Sequence, residues 1–172
     1  MQDTPYFIDN KFVKSEATQF IELHDPATNN LVTRVPQSTD AELKAAVESA
    51  KKAFPAWKAT SVMARQQIMF KFTQLVRENW DRLAASITLE QGKTFAGMFL
   101  MVQVVDLLLI DSVDAKGDVL RGLQVAEGAC AIPEQMKGEV LEVAKDMETR
   151  SYREPLGVVA AICPFSKLSP IL

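Results

Sequence analysis

A chain of 172 residues that is 48% hydrophobic and 24% charged has the make-up of a globular protein and excludes a disordered one. Its 19 lysines and arginines against 22 acids leave a net charge of −3, so there is no basic footprint for nucleic acid. Two cysteines, Cys130 and Cys163, and one histidine, His24, exclude a disulfide framework and any site needing two imidazoles, and they point to a reducing setting.

The length predicts one domain, or one and a half, with a core that buries roughly 70% of the unfolded surface. Met1 to Pro5 lacks the Arg-rich amphipathic pattern of a transit peptide. Tyr6-Phe7-Ile8 and Lys11-Phe12-Val13 flank Asp9-Asn10, two residues that tolerate the left-handed conformation of a tight turn, so a hairpin is predicted. Phe20 to His24 and Leu31 to Val35 form a second pair around the Asp25-Pro26-Ala27-Thr28-Asn29-Asn30 loop. With no second histidine or nearby cysteine, His24 reads as a structural or surface residue.

Thr39-Asp40-Ala41-Glu42 is a capping box. It opens a helix with Leu43, Ala46, Val47, Ala50 and Phe54 at helical spacing, which Pro55 is expected to stop. A second helix is predicted from Ser61 to Asn79 with Ile68, Phe72, Leu75 and Val76 inward. A third begins near Trp80 with Leu83, Ala84 and Ile87 on one face. The longest apolar run, Met98 to Ile110, is too short to cross a bilayer and contains Asp106, so no membrane span is expected. Glu139 to Val143 and Met147 to Arg153 read as strands. Val158 to Ile162 is a continuous apolar run of the kind buried on both faces of a parallel sheet, and a ligand is met at the carboxyl ends of such strands.

The glycines do not form a nucleotide loop. Gly92-Lys93-Thr94 has isoleucine where the upstream glycine of a phosphate loop belongs, and Gly117, Gly122 and Gly128 are too widely spaced for a dinucleotide fingerprint. The last three fall in a predicted helix.

Glu154-Pro155-Leu156-Gly157-Val158 through Ile162-Cys163-Pro164-Phe165 resembles the entry to the nucleotide-binding sheet of the aldehyde dehydrogenase superfamily. Asp25-Pro26-Ala27-Thr28 is similar to its Asn-Pro-Ala-Thr loop, and Leu89 to Thr94 to its Glu-x-Gly-Lys helix end. Ala53-Phe54-Pro55-Ala56-Trp57, Arg65-Gln66-Gln67 and Gly117-Asp118-Val119 through Val125 are similar to the methylmalonate-semialdehyde branch of that superfamily. The resemblance covers Tyr6 to Phe165 and corresponds to roughly the first third of a complete subunit.

It implies an α/β fold that is α+β in this portion: hairpins, amphipathic helices, an arm strand and the first strand of a Rossmann-like sheet. The implied organisation is 1–146 as hairpins and helices of an incomplete NAD-binding domain, with an apolar insertion at 97–113. Residues 147–154 follow as the oligomerisation-arm strand, and 155–172 as the first nucleotide-sheet strand with a divergent tail. The implied activity is NAD-dependent oxidation of methylmalonate or malonate semialdehyde with acyl transfer to coenzyme A, in valine and pyrimidine catabolism in the mitochondrial matrix. The absence of a visible transit peptide leaves the cytoplasm open. Cofactor contacts carry over to Cys163 and Phe165; no metal is implied.

Three departures bear on activity. The family's nucleophilic cysteine and general-base glutamate have no counterpart here, and neither Cys130 nor Cys163 stands at the nucleophile's position, so no catalytic residue is assigned. Ser166 stands where the family has an oxyanion-holding asparagine, and the tail to Leu172 diverges abruptly, as at an altered reading or splice boundary. Removing Gly97 to Val113 would join Thr94-Phe95-Ala96 to Asp114-Ala115-Lys116 as one uninterrupted family helix. The block reads as an artefactual insertion with an exposed sticky patch or as a membrane or partner helix, with the pattern favouring the former. The expectation is a fragment inactive alone. A non-catalytic module that pairs with full-length subunits and a misassembled gene product are the alternatives.

Overall fold

The computed structural model describes residues 3–95 and 115–163. Among them lie three separate two-stranded antiparallel sheets and five helices, so the chain is mixed helix and strand as expected. The insertion at 97–113, Phe165, Ser166 and the tail lie outside the described residues.

Strands β1 (Tyr6–Ile8) and β2 (Lys11–Val13) pair across the Asp9-Asn10 turn, with Phe7 opposite Phe12. Asp9 (φ 53°) and Asn10 (φ 59°) both take the left-handed conformation, which a two-residue hairpin loop with the native strand twist requires. Strands β3 (Phe20–His24) and β4 (Leu31–Pro36) form the second hairpin. Its loop is tied by one carboxylate: Asp25 accepts from the Ala27 amide at 2.9 Å and the Thr28 hydroxyl at 2.7 Å. These two bonds, the hydroxyl's foremost, hold the Asp25 carboxyl below its ordinary pKa. An Asp-Pro-Ala-Thr sequence thus builds its own Asx turn.

Helix α1 (Asp40–Ala59) begins with the expected capping box: the Thr39 hydroxyl accepts from the Glu42 amide, and the Glu42 carboxylate accepts from the Thr39 amide at 2.8 Å. The same carboxylate accepts from the Ser15 hydroxyl and the Glu16 amide, each at 2.8 Å, so it also pins the β2–β3 connection to the helix. These donors, led by the Thr39 amide, hold its pKa down at about 2. The expectation that Pro55 stops the helix is wrong. The helix runs through it to Ala59, because the turn beyond the proline closes on Thr60, whose amide donates to Trp57 O at 3.1 Å and whose hydroxyl donates to Ala56 O at 3.0 Å.

Helix α2 (Val62–Glu78) follows a Ser61 cap, and α3 (Trp80–Gln91) ends on Gly92, whose left-handed φ of 70° suits a glycine cap. Helix α4 (Ala115–Ala129) packs across both, and the short α5 (Ile132–Gln135) follows. The core is the cluster these helices share: Val76, Leu83, Ala84, Ile87, Ala115, Val119 and Leu123, with Phe72 and Trp80 at its edge. The expected face of α3 is correct. On α2 the expectation needs correcting: Ile68 is 51% exposed and Leu75 is 44% exposed. At 3.6 residues per turn both sit roughly a quarter-turn from Val76, which is buried in the core with Phe72 packed against it.

Strands β5 (Val140–Ala144) and β6 (Met147–Arg150) form the third hairpin, and β6 ends three residues earlier than the sequence pattern reads. Its base is closed by the Ser151 amide on Glu139 O at 2.9 Å and the Glu139 amide on Ser151 Oγ at 2.8 Å. A side chain at Gly138 would put its Cβ 1.9 Å from Ser151 O, so glycine is required there by the close backbone approach. Residues 151–163 hold no regular element, and the strand expected at Val158 to Ile162 is not formed. A parallel-sheet strand draws its hydrogen bonds and both covering layers from neighbours, and the described residues supply neither.

Candidate functional site

The residues that carry the family resemblance come together at one place and stay apart at another. Gly92, at the end of α3, lies against the Asp25–Thr28 turn so closely that a Cβ on it would meet Pro26 Cβ at 3.3 Å. Asp25, Ala27, Ala85, Thr88, Leu89, Gly92 and Phe95 line a cavity of about 350 Å³ between the turn and the helix. Gly92-Lys93-Thr94 is therefore a helix C-terminus seated on a turn, not a phosphate loop. Of the lining residues, Thr88 has a buried hydroxyl without a partner among the described residues, while the Asp25 carboxylate is engaged in its own turn. One idle hydroxyl offers hydrogen bonding and no acid–base or nucleophilic chemistry.

Just past Gly92 the chain is fastened to α4. Lys93 donates to the Asp118 carboxylate, which is only 5% exposed, and the Ala115 amide donates to Thr94 O at 3.0 Å. Lys116 adds an ion pair to Asp81 at 2.8 Å and lies 4.8 Å from the centre of the Phe95 ring. With residues 97–113 removed, Ala115 would stand four places after Thr94, and the Thr94–Ala115 bond would become an ordinary helical one. Reading the sequence picked out Lys93 and Asp118 in separate motifs and did not pair them, since the two stand 25 residues apart.

His24 is where the sequence places it, on an exposed hairpin. Its Nδ1 lies 3.1 Å from Asn29 O and its Nε2 lies 3.1 Å from the Glu22 carboxylate, and these partners, the carbonyl first, raise its pKa. Cys130 is buried, its thiol donating to Ala126 O and its carbonyl accepting from Gln66 Nε2 at 2.6 Å. Neither partner is a base or a cation that would favour a thiolate. Cys163 is exposed at the end of the irregular stretch, with no hydrogen bond or ion pair among the described residues. The two cysteines are thus not brought together. Among the described residues no group of three or more His, Cys, Asp or Glu side chains is placed to hold a metal ion, and no helix is long and apolar enough to cross a membrane. Among the described residues the run leading to Cys163 takes part in no sheet, and its apolar side chains are exposed.

A helix end on an Asx turn, a helical core behind it and an unpaired apolar run beyond are parts of a larger α/β fold. Residues 12–109 and 110–167 match the Aldehyde dehydrogenase family, and the chain belongs to that family. The two matched segments meet inside the 97–113 stretch.

The chain is 52% identical over 164 residues to an Aedes aegypti protein named probable methylmalonate-semialdehyde/malonate-semialdehyde dehydrogenase (acylating), mitochondrial, covering 95% of this chain and 28% of that one. It is 48% identical over 161 residues to the Homo sapiens protein named methylmalonate-semialdehyde/malonate-semialdehyde dehydrogenase (acylating), mitochondrial, covering 93% and 27%. Among solved structures, a putative methylmalonate-semialdehyde dehydrogenase from Sinorhizobium meliloti 1021, complexed with NAD, superimposes with a TM-score of 0.82 at 36% identity, over 96% of this chain and 30% of its own. The enzyme from Oceanimonas doudoroffii gives 0.77 at 26% identity, over 91% and 28%. The chain spans less than a third of these relatives and corresponds to an N-terminal part of them.

Proposed function

We propose that this chain is the N-terminal portion of an NAD-dependent, coenzyme A-acylating methylmalonate/malonate-semialdehyde dehydrogenase, and that it has no turnover by itself. The observation that carries the reading is the 52% identity to an acylating semialdehyde dehydrogenase over 95% of this chain but 28% of that relative. The environments of the two thiols support inactivity: Cys130 is buried against a carbonyl, and Cys163 has no base or cation beside it among the described residues. Both lack what makes a thiolate nucleophile.

Within the complete enzyme this portion serves as frame. The hairpins and α1 to α4 carry the stretch that ends at Cys163, and Cys163 with Phe165 is assigned to contact NAD there. Residues 1–146 belong to the NAD-binding domain, 147–154 to the arm between subunits, and 155–172 begin with the first strand of the nucleotide sheet. The relatives are named mitochondrial, which supports a mitochondrial location for this protein.

The test is an assay of the purified chain with methylmalonate semialdehyde, NAD and coenzyme A, beside calorimetric titration with NAD. No NADH formation and no saturable heat are expected. Turnover, or a saturable NAD isotherm, overturns the reading.

A further inference from the structure

Among the described residues one arginine stands apart from the rest. Arg34 pairs with Asp3, Arg77 with Glu127, Arg121 with Asp118 and Arg150 with Glu148, while Arg82 and Arg153 are exposed to water. Arg65, early in α2, is half-buried and makes no ion pair among the described residues. Its Nε is buried without a hydrogen-bond partner there. A guanidinium N–H taken from water and given no acceptor costs free energy. The acids on neighbouring elements are engaged elsewhere: Glu127 with Arg77, Glu134 with Lys137 and Glu154 with Lys58.

Arg65 lines a cleft of about 170 Å³ where α1 and α2 meet the end of α4 and α5. Its walls are apolar, with Trp57, Met69, Ile132 and Met136 among them. Gln66 also lines it, but its Nε2 is already given to Cys130 O at 2.6 Å. The guanidinium is the single charge in the lining. Trp57 and Ile132 are 47% and 42% exposed, so the cleft is open to solvent.

That combination selects a ligand by charge, shape and size. The planar fork of a guanidinium matches a carboxylate through two parallel N–H···O bonds, one of them from Nε. Aromatic and thioether walls favour an apolar tail. A phosphate dianion would leave its second charge against those walls without a second cation. The volume falls below the roughly 300–1,000 Å³ of pockets that take drug-sized molecules, so the tail is short.

We propose that this cleft binds a short-chain aliphatic monocarboxylate, its carboxylate on the Arg65 fork and its tail against Trp57, Met69 and Met136. None of these residues is assigned to NAD contact or acyl transfer, so the proposal stands or falls apart from the dehydrogenase reading.

The purified, isotopically labelled 172-residue chain is titrated with butyrate, butyramide and acetate, and NMR spectra are recorded. Butyrate is expected to saturate with a Kd on the order of 1 mM, moving the Arg65 Nε–H, Trp57 indole, Met69 methyl and Met136 methyl signals together. Butyramide, of the same shape without the charge, should leave them in place. Acetate should bind at least about fivefold more weakly for want of a tail. Arg65→Met is expected to weaken butyrate binding at least about tenfold, and Arg65→Lys at least about threefold, because a point charge keeps the attraction and loses the fork. No side-chain hydrogen bond among the described residues is lost in Arg65→Met, so its thermal midpoint should not fall. The wild-type signals decide the matter even if that variant fails to fold. No saturable shift with butyrate, equal shifts with butyramide, an unmoved Arg65 Nε–H or undiminished binding by Arg65→Met overturns the proposal.

Discussion

The α2–α3–α4 cluster and the stretch from Glu139 to Cys163 are comparably apolar in sequence, yet they behave oppositely. In the cluster, Val76 and Ile87 are 1% exposed, each apolar side chain meets another helix, and every helix satisfies its own backbone. Burial of each such side chain contributes about 1.5–3 kcal/mol. In the carboxy-terminal stretch the hairpin pairs only with itself and the following run pairs with nothing. Helices carry their hydrogen bonds with them and need a neighbour only for one face. Strands need a neighbour for the bonds as well, and two-stranded ribbons are marginal alone. An N-terminal portion of an α/β enzyme therefore keeps its helical part intact and leaves its sheet part without support.

The sharpest way to break this contrast is Ile87→Ala, expected to cost about 2–5 kcal/mol in denaturant unfolding through the cavity it leaves. Asp118→Asn strands the Lys93 ammonium. Because the Lys93 side chain keeps 25% of its exposure, the expected loss is about 1–3 kcal/mol, below that of a fully buried pair. Excision of Gly97 to Val113 is expected to stabilise the chain by about 1–2 kcal/mol, since it shortens the connection between Thr94 and Ala115, which are already hydrogen-bonded. A loss of stability on excision would show that the block is part of the core after all.

A smaller, pH-dependent effect is expected at Glu42, whose folded pKa of about 2 lies below its ordinary 4.5. Its contribution is complete above pH 4.5 and fades as pH falls towards about 2, so Glu42→Gln should flatten the fall in unfolding midpoint across that window. The smallest effect is expected for Ile162→Ala, within about 0.5 kcal/mol, although it is the same truncation as at Ile87. Equal costs at the two isoleucines would erase the distinction between the regions.

Reading residues in order located both amino-terminal hairpins, the Thr39 capping box, the start of the second helix near Ser61, the inward face of α3 and the family itself. It misjudged Pro55, Ile68, Leu75 and the run at Val158. The errors share a cause: whether a proline is tolerated, a flank is covered or a strand is paired depends on atoms far away in the sequence. The candidate site divides in the same way, since its motifs were recognisable singly while their meeting was not.

What the chain's order of residues determined by itself were features closed within a few positions: the Asp9-Asn10 turn, the Asp25 carboxylate folded onto Ala27 and Thr28, the Thr39–Glu42 exchange, the glycine at the end of α3. Their partners lie two to four residues away, and no tertiary packing is needed to choose them. Only the tertiary structure decided that Gly92 rests on Pro26, that Lys93 reaches Asp118, and that Val158 to Ile162 remains open. Those outcomes turn on burial and strand pairing between distant segments, which local sequence does not encode.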